Sequence, residues 1–312
     1  MIHYIKHQEI DKAKWDACME QSLHATIYGY SYYLDSVCEQ WDALIEDDYI
    51  SIMPLPYRKK TGITYIFSPS MTQQLGVFSC QLISPSKVQE FLEAIPSKFK
   101  FCRINLNHGN ILNRENYTAV THTNLELSLD KPCEELFGLF SENTQRNIKK
   151  AAKFNLSIHK DGTITNLVQL FKENKAQDLD GLPADFYFCL KKVYKMLLEK
   201  HQAQIWEVRY NGALYAGAFF GYASNKVYFL FSASSKEAKE TGSMPFLIHN
   251  FIQENVSKNL ILDFEGSDSP SLARFYRSFG AIDKNYNQII LNRLPNIIRS
   301  FVKILKYDKK IT

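Results

Sequence analysis

The order of apolar and polar positions in residues 204–281 predicts alternating strands and helices. Residues 204–223 read as a hairpin that turns at Asn211-Gly212, because both residue types tolerate positive φ. Residues 226–234 are almost uniformly apolar, which predicts a strand in a sheet covered on both faces. Residues 244–258 then place apolar side chains at helical spacing, and Pro245 falls where the first turn of a helix tolerates proline.

A second buried strand and a short helix follow. The apolar run that begins at residue 260 stops at Asp263 and Glu265, and a break follows before the helix. The helix has one apolar stripe and stops at Gly280; the stripe consists of Leu272, Phe275, Tyr276 and Phe279. Residues 286–294 are predicted to close this unit as its last strand. A strand end beside a helix start is a common ligand-binding crevice, since unpaired backbone N–H groups point into it.

The first half of the chain repeats this pattern at a nearly constant offset. In both copies a tryptophan opens two extended segments, an apolar run ends in Phe-Ser-x-Ser, and a glycine, a Ser-Lys pair and a short strand come after it. The matching landmarks are Trp41 and Trp206, segments 64–70 and 228–234, Gly76 and Gly242, and Ser97-Lys98 and Ser257-Lys258. The chain is therefore predicted to hold a duplicated α/β unit.

Length and charge fit two soluble domains. The 312 residues provide for two cores of ordinary size, predicted at 1–130 and 131–294. A net charge of +4 with 22% charged residues excludes a basic DNA-coating protein, although a polyanion can still be bound locally. The charged start is unlike a secretory signal, and no stretch approaches the ~20 apolar residues of a membrane span. We therefore expect a cytoplasmic protein without a transmembrane segment.

The metal-binding residue types show no site spacing. The six cysteines include no CxxC pair, and the eight histidines include no HxH or HxxxH spacing. We expect reduced, structural thiols and no bound metal.

The second unit resembles the GCN5-related N-acyltransferases (GNAT). The resemblance is carried by the order of its elements and by residues 275–281, which are similar to the "FYxxxGF" pattern of that family. Two such units in tandem resemble the FemABX group, and residues 143–158 are similar to that group's "RxNIxKAxKxGV" helix, with Asn155 in place of the glycine. The resemblance implies two tandem GNAT-like domains, each a mixed, mostly antiparallel sheet flanked by helices.

The FemABX resemblance also implies a function. That group attaches amino acids from aminoacyl-tRNA to cell-wall precursors, so a peptidoglycan precursor amine is the implied acceptor and tRNA the implied partner. The segment 167–200 is too short for the projecting helical arm of some members, which makes this chain resemble the compact ones. In those members a C-terminal helix, here 295–312, packs on the first domain. Because that tail is amphipathic and basic, a role at a membrane surface is the alternative.

The cofactor segment departs from the pattern of acetyl-CoA enzymes. Those enzymes place a glycine-rich turn before the central helix so that backbone N–H groups can approach a pyrophosphate. Here the turn is only partly present; the candidate cofactor-binding residues are Ser232, Ser234, Lys239, Gly242 and Ser243. Pro270 stands where those enzymes often have an asparagine, which weakens the acetyl-CoA interpretation. Gly76 of the first copy has no basic neighbour, so that unit is predicted to contribute to the acceptor site instead.

Two residues near the end of the second unit are the catalytic candidates. Acyl transfer to an amine needs a deprotonated nucleophile, donors for the oxyanion and a proton for the leaving group. Glu265, nearest the strand end and before Gly266, is predicted to contact the acceptor amine; the alternative is a helix cap or an ion pair with an arginine. The resemblance assigns Tyr276 the protonation of the leaving group, and the alternative is a core aromatic residue.

A basic helix supplies the candidates for substrate binding. Arg146, Lys149 and Lys153 lie on one helical face, with Lys150 close by, where they can hold a diphosphate or the tRNA backbone. The alternative is an ordinary solvated face. Arg58, in the predicted hairpin turn of the first unit, and Tyr228 are further candidates.

These observations favour an acyltransferase that moves an acyl or aminoacyl group to an amine. The donor is predicted to be aminoacyl-tRNA or acetyl-CoA. An acetyl-CoA-dependent N-acetyltransferase of a small amine and a non-catalytic binding module are the alternatives.

Overall fold

The computed structural model describes residues 1–113, 117, 119–174, 182–266 and 268–295. These residues form two compact units. The first unit contains Met1–His122, Phe188–Met196 and the segment that begins at Asn285. The second contains Thr123–Tyr187 and Leu197–Lys284. Across the described ranges, no helix combines the length and the apolar character that a membrane span requires.

The helices and strands alternate along both halves of the chain. Residues 1–122 form β1 (Ile2–Ile5), α1 (Lys12–Gln21), α2 (Ser31–Val37), β2 (Trp41–Glu46), β3 (Ser51–Lys60), β4 (Ile63–Ile66), β5 (Phe78–Ser79), α3 (Pro85–Glu93), β6 (Phe99–Asn105) and β7 (Ala119–His122). The later residues form β8 (Leu125–Ser128), α4 (Cys133–Leu139), α5 (Glu142–Ala151), β9 (Leu156–His159), α6 (Ile164–Asn174), α7 (Phe186–Glu199), β10 (Ala203–Tyr210), β11 (Ala213–Ala223), β12 (Lys226–Ser234), α8 (Ala238–Thr241), α9 (Ser243–Asn255), β13 (Ile261–Asp263), α10 (Pro270–Arg277), β14 (Ile282–Asp283) and β15 (Tyr286–Asn292). Short 3-10 helices lie at His7–Glu9 and Ile27–Gly29.

The two sheets have the same strand arrangement. The first has the order β1-β2-β3-β4-β6-β15-β7, with β5 paired to β3, and the second has the order β9-β10-β11-β12-β13-β8-β14. One strand pair in each sheet is parallel, β4 with β6 and β12 with β13, and the other pairs are antiparallel. The predicted duplication and the mixed, mostly antiparallel sheets are therefore confirmed.

Each sheet takes one strand from the other half of the sequence. The strand β15 pairs with β6 and β7 in the first sheet, so its predicted place as the last strand of the second unit is wrong. The strand β8 fills the corresponding place in the second sheet, between β13 and β14. The chain passes from one sheet to the other at residues 123–124 and again at 284–285. Division of the chain at residue 130 stays a prediction, and residues 296–312 of the predicted C-terminal helix lie outside the described residues.

The local signals of the second unit give the elements that they predict. Asn211 and Gly212 have φ of +48° and +81° and connect β10 to β11. The helix α9 begins at Ser243 and has Pro245 in its first turn. Its apolar side packs on the sheet, where the ring of Phe251 stacks on Phe220 with centroids 3.7 Å apart. The helix α10 ends at Arg277, three residues before the predicted stop at Gly280.

Candidate functional site

The parallel strands β12 and β13 of the second sheet separate at the candidate site. The strands β12 and β13 pair over three residues only, and Tyr228 and Asp263 form the last pair. The strand β12 continues to Ser234, and no described strand pairs with it on that side. Leu230 is an extra residue between the partners of Phe219 and Phe220 on β11, which makes it a β-bulge. Among the described residues, backbone groups of β12 are thus left without a strand partner where β13 ends.

Glu265 lies just past the end of β13 in an unusual backbone conformation. Its φ is +57°, and Gly266 follows with φ of +54°. A carboxylate oxygen of Asp263 accepts the backbone N–H of Glu265 at 2.8 Å and so supports this left-handed turn. The Glu265 side chain is half-buried. The predicted acid therefore stands on a turn outside the strand, and Asp263 holds that turn.

Gly266 permits this turn by its lack of a side chain. A Cβ at this position would lie 2.3 Å from the carbonyl oxygen of Thr123, in addition to the strain of a positive φ. We expect Gly266→Ala to destabilise the chain by about 2–4 kcal/mol in chemical denaturation. Gly212→Ala is the matched control, because Gly212 also has positive φ but nothing lies within 4 Å of its Cβ position, so about 1 kcal/mol is expected. Equal losses in both variants would show that the approach to Thr123 is unimportant.

A buried ionic cluster lies beneath the Glu265 turn. Asp263, Glu126 and Lys226 are 2%, 5% and 9% exposed and come from the neighbouring strands β13, β8 and β12. The ammonium of Lys226 donates to Glu126 at 2.5 Å, and the Asn124 amide donates to Asp263 at 3.3 Å. Burial raises the pKa of Asp263 to about 6; the charge of Lys226 opposes this rise and that of Glu126 adds to it.

Sequence reasoning missed Glu126 and Lys226. They are far apart in sequence, and neither belongs to a motif. The only signal available was a charged residue inside each of two apolar strands.

Tyr276 lies in the aromatic core beside this turn. Its ring stacks on Phe264 with centroids 4.8 Å apart and meets the edge of Phe229 at 6.1 Å. Burial raises the pKa of Tyr276, and the negative charge of Glu265 raises it further. Both catalytic candidates are therefore electrostatic neighbours, and the phenol keeps its proton at neutral pH. Its ring also packs as a core residue, which was the alternative interpretation.

The predicted cofactor segment is only partly accessible. Gly242 adopts φ of +69° between α8 and α9, and a Cβ there would lie 2.8 Å from the backbone oxygen of Asn147 in α5. Ser243 is 0% exposed, and its hydroxyl is 2.6 Å from that of Thr241. The close packing of α5 against the start of α9 thus explains why residue 242 is a glycine. Lys239 is exposed.

Ser232 and Ser234 occupy the open end of β12. Both side chains are half-buried. Within the described part of the chain, no group hydrogen-bonds to either hydroxyl. They are therefore the members of the predicted cofactor set that are placed at the strand opening.

The helix α5 presents the predicted basic face. Its buried side consists of Thr144, Ile148 and Ala151, and Ser141 caps its first turn by accepting the Thr144 N–H at 3.3 Å. The opposite side is exposed and lines a surface depression of about 520 Å³; the lining residues are Glu142, Gln145, Arg146, Lys149, Lys150 and Lys153. Hydrogen bonds from the Gln145 amide to two carbonyl groups of the preceding segment fix the helix. The four cations thus line one depression, although α5 ends at Ala151 and Lys153, predicted on the helix, lies just past its end.

Two predicted substrate-binding residues do not join this group. Tyr228 is 1% exposed, so its side chain belongs to the interior of the second unit. Arg58 lies in β3 of the first unit, paired with Tyr65, so its predicted position in a turn is wrong. Its guanidinium carbon is 4.3 Å from the centroid of the Phe67 ring.

The first unit closes the equivalent opening with its own backbone. After β4 pairs with β6, Leu75 forms a further parallel bridge with Leu106. The backbone of Leu75 also accepts the N–H of Asn107 at 2.7 Å. Gly76 has φ of +90°, and the side chain of Asn110 would lie 2.3 Å from a Cβ there. The Leu75 segment therefore continues the parallel pairing beyond β4 and β6 in the first unit, whereas no described strand continues it beyond β12 and β13 in the second.

Comparison with known proteins supports the fold. No protein-family model and no curated protein matches the sequence. Among solved structures, FemX aligns over 97% of this chain and 100% of its own with a TM-score of 0.65 and 12% identity. L-PGS from Bacillus licheniformis aligns over 96% of both chains with a TM-score of 0.58 and 12% identity. A tandem GNAT protein from the clavulanic acid biosynthesis pathway aligns over 95% of this chain and 100% of its own, with a TM-score of 0.58 and 9% identity.

These alignments cover nearly the whole of each chain. At such low identities they show the fold and not the reaction. The chain therefore has a FemABX-like tandem GNAT fold, as the resemblance implied.

Proposed function

We propose that the second unit transfers an acyl or aminoacyl group to an amine. The observation that carries this proposal is the opening where β12 and β13 part after Tyr228 and Asp263, next to the bulge at Leu230. Backbone N–H groups on such an open edge can bind the carbonyl oxygen of an acyl donor. Preorganised donors of this kind stabilise the oxyanion that forms during acyl transfer.

The two catalytic candidates divide the proton transfers between them. The amine nitrogen attacks the acyl carbon, the bond to the leaving oxygen or sulfur breaks, and one proton must leave the amine while another reaches the leaving group. Half-buried Glu265 accepts the amine proton, and Tyr276, which its raised pKa keeps protonated, supplies the other. Because an aminoacyl ester or a thioester is already activated, positioning supplies much of the remaining rate.

We favour aminoacyl-tRNA as the donor because of the basic face of α5. Arg146 lies in α5, Lys153 follows the last residue of α5 by two positions, and both line the same depression, so this basic surface can meet more than one phosphate. The buried Ser243 and the close approach of Gly242 to Asn147 limit a pyrophosphate site at the start of α9. The acceptor in this proposal is the amine of a cell-wall precursor in the cytoplasm.

Acetyl-CoA is the second candidate donor. The hydroxyl groups of Ser232 and Ser234 at the open end of β12, together with exposed Lys239, favour it. In this version the chain is an N-acetyltransferase of a small amine.

Thermal unfolding in the presence of ligands tests the proposal. The probes are aminoacylated tRNA, uncharged tRNA, acetyl-CoA and a UDP-linked muropeptide, each added to the full chain. A true ligand raises the unfolding temperature because it binds only the folded state. Stabilisation by tRNA supports the favoured donor, and stabilisation by acetyl-CoA alone supports the second candidate. If none of the four shifts the transition, the chain is a binding module for something else and the proposal is wrong.

Variants of α5 test how tRNA is held. Replacing Arg146, Lys149 and Lys153 together by alanine is expected to weaken tRNA binding. The slope of log K against the logarithm of the salt concentration should become shallower by about 2–3, roughly one for each lost phosphate contact. The control K6A/K100A/K191A removes the same charge from exposed positions elsewhere and is expected to bind like the wild type. Equal weakening in both variants would show that net charge, and not the α5 face, determines binding.

A further inference from the structure

Two cysteine side chains of the first unit point at one carbonyl group. Cys18 lies in α1, and Cys80 directly follows β5. The thiol of Cys18 is 3.8 Å from the carbonyl oxygen of Ile50, and the thiol of Cys80 is 3.4 Å from the same oxygen. The two sulfur atoms therefore lie within about 7 Å of each other, although 61 residues stand between the two positions in the sequence.

Hydrogen bonds hold the two backbone segments together at this point. The N–H of Ser79 donates to the hydroxyl of Ser22 at the end of α1, at 3.3 Å. The N–H of Cys80 donates to the oxygen of Ile50 at 3.3 Å, so this oxygen contacts the backbone and the thiol of Cys80 as well as the thiol of Cys18. A disulfide needs a Cα separation of roughly 4.4–6.8 Å, and the shared contacts with Ile50 bring the two cysteines to the same point of the fold.

The two thiols differ in access to solvent. Cys80 is exposed, whereas Cys18 is 5% exposed, and its burial raises its pKa to about 12. An oxidant from solvent therefore reaches Cys80 first. Cys38 and Cys102 face different carbonyl groups, those of Gln40 and Phe99. The geometry thus sets Cys18 and Cys80 apart as a pair.

We propose that Cys18 and Cys80 form a reversible disulfide when the chain meets a peroxide. The Cys80 thiolate attacks hydrogen peroxide, the O–O bond breaks, and sulfenic acid and hydroxide form. The sulfur of Cys18 then attacks the Cys80 sulfur, the S–O bond breaks, and the proton of Cys18 leaves with the departing oxygen as water. Two thiols and one peroxide give one disulfide and two waters. The bond ties α1 to the segment after β5.

Mass spectrometry of the full chain tests this pairing without any assay of activity. The chain is treated with hydrogen peroxide, unfolded in N-ethylmaleimide and weighed. The oxidised chain is expected to lose two hydrogens and to take four maleimide groups instead of the six that its cysteines otherwise bind. Peptide mapping is expected to find one cross-link, between the Cys18 and Cys80 peptides, and dithiothreitol should restore all six additions. The oxidised form should also melt several degrees higher, since the cross-link restricts the unfolded chain.

Two variants make the result specific. Cys80→Ser changes an exposed position and is expected to abolish the cross-link, while Cys38→Ser should leave it intact. Oxidation of wild-type Cys80 to sulfinic acid without a cross-link, or a cross-link between other cysteines, would overturn the pairing. Either outcome leaves the proposed acyl transfer untouched, because the ligand-binding experiments do not involve these thiols.

Discussion

Glu265→Gln is expected to lower the turnover of acyl transfer by about 10²–10⁴-fold, the usual contribution of a general base. Glutamine keeps the size of the side chain and can occupy the same left-handed turn, but its amide cannot take a proton from the amine. The loss should therefore appear in kcat more than in KM. The assay follows release of deacylated tRNA or of free CoA, with whichever donor stabilises the chain.

A control separates this effect from a general loss of structure. Glu254→Gln alters an exposed carboxylate of α9 that pairs with Lys160, and it is expected to keep full turnover. Both variants should unfold at temperatures close to that of the wild type, because neither side chain fills the core. Wild-type turnover in Glu265→Gln would show that Glu265 takes no part in the reaction. The conclusions from the ligand-binding experiments would not be affected.

Asp263→Asn is expected to change how the stability of the chain depends on pH. The pKa of Asp263 is raised to about 6 in the folded chain, above its ordinary value of about 4, so the folded state binds this proton more tightly than the unfolded state does. The stability that this group contributes is therefore present below about pH 4 and is lost as the pH rises through about 6. Asparagine cannot ionise. The free energy of unfolding of the variant should therefore rise relative to that of the wild type over this window, by on the order of 2–3 kcal/mol.

The hydrogen bonds of the site favour the same variant. Asparagine retains an oxygen for the Glu265 N–H. Its amide can also donate to the Asn124 side-chain oxygen, which is buried and has no hydrogen-bond partner in the described structure, once the Asn124 amide is turned over. The substitution also removes the negative charge of Asp263, so the cluster keeps only the two opposite charges of the Lys226–Glu126 pair.

Urea unfolding at a series of pH values measures this difference. Asp263→Ala is the control, since it removes the acceptor of the Glu265 N–H and leaves a gap, so it should be less stable than asparagine at every pH. A constant difference between wild type and Asp263→Asn from pH 4 to pH 8 would mean that Asp263 does not titrate in this range.

The local features of this chain were predictable because neighbouring residues determine them. The turn at Asn211-Gly212 depends on two residues that tolerate positive φ, and the basic face of α5 depends only on helical spacing. The duplicated order of elements is likewise a property of the printed sequence. For these features the tertiary structure adds geometry to a pattern already visible.

The candidate site was predictable only in part. Glu265 and Tyr276 were predicted from a strand end and a helix motif, and their catalytic roles stay predictions. The carboxylate and ammonium of Glu126 and Lys226 were missed, because strand pairing between distant segments brings them to Asp263. Ser243 was predicted as a phosphate ligand from the sequence, yet its side chain is fully buried against Thr241.

The sequence by itself determined that the chain has two similar sets of strands and helices, with a cationic helix near the start of the second set. Only the tertiary structure decided that β8 and β15 each complete the sheet of the other half, and that the first unit fills the opening which the second keeps. The physical reason is that turn and helix preferences act over a few residues, whereas an apolar strand can pair in either sheet. Its place is fixed by the free energy of burial and hydrogen bonding across the whole fold.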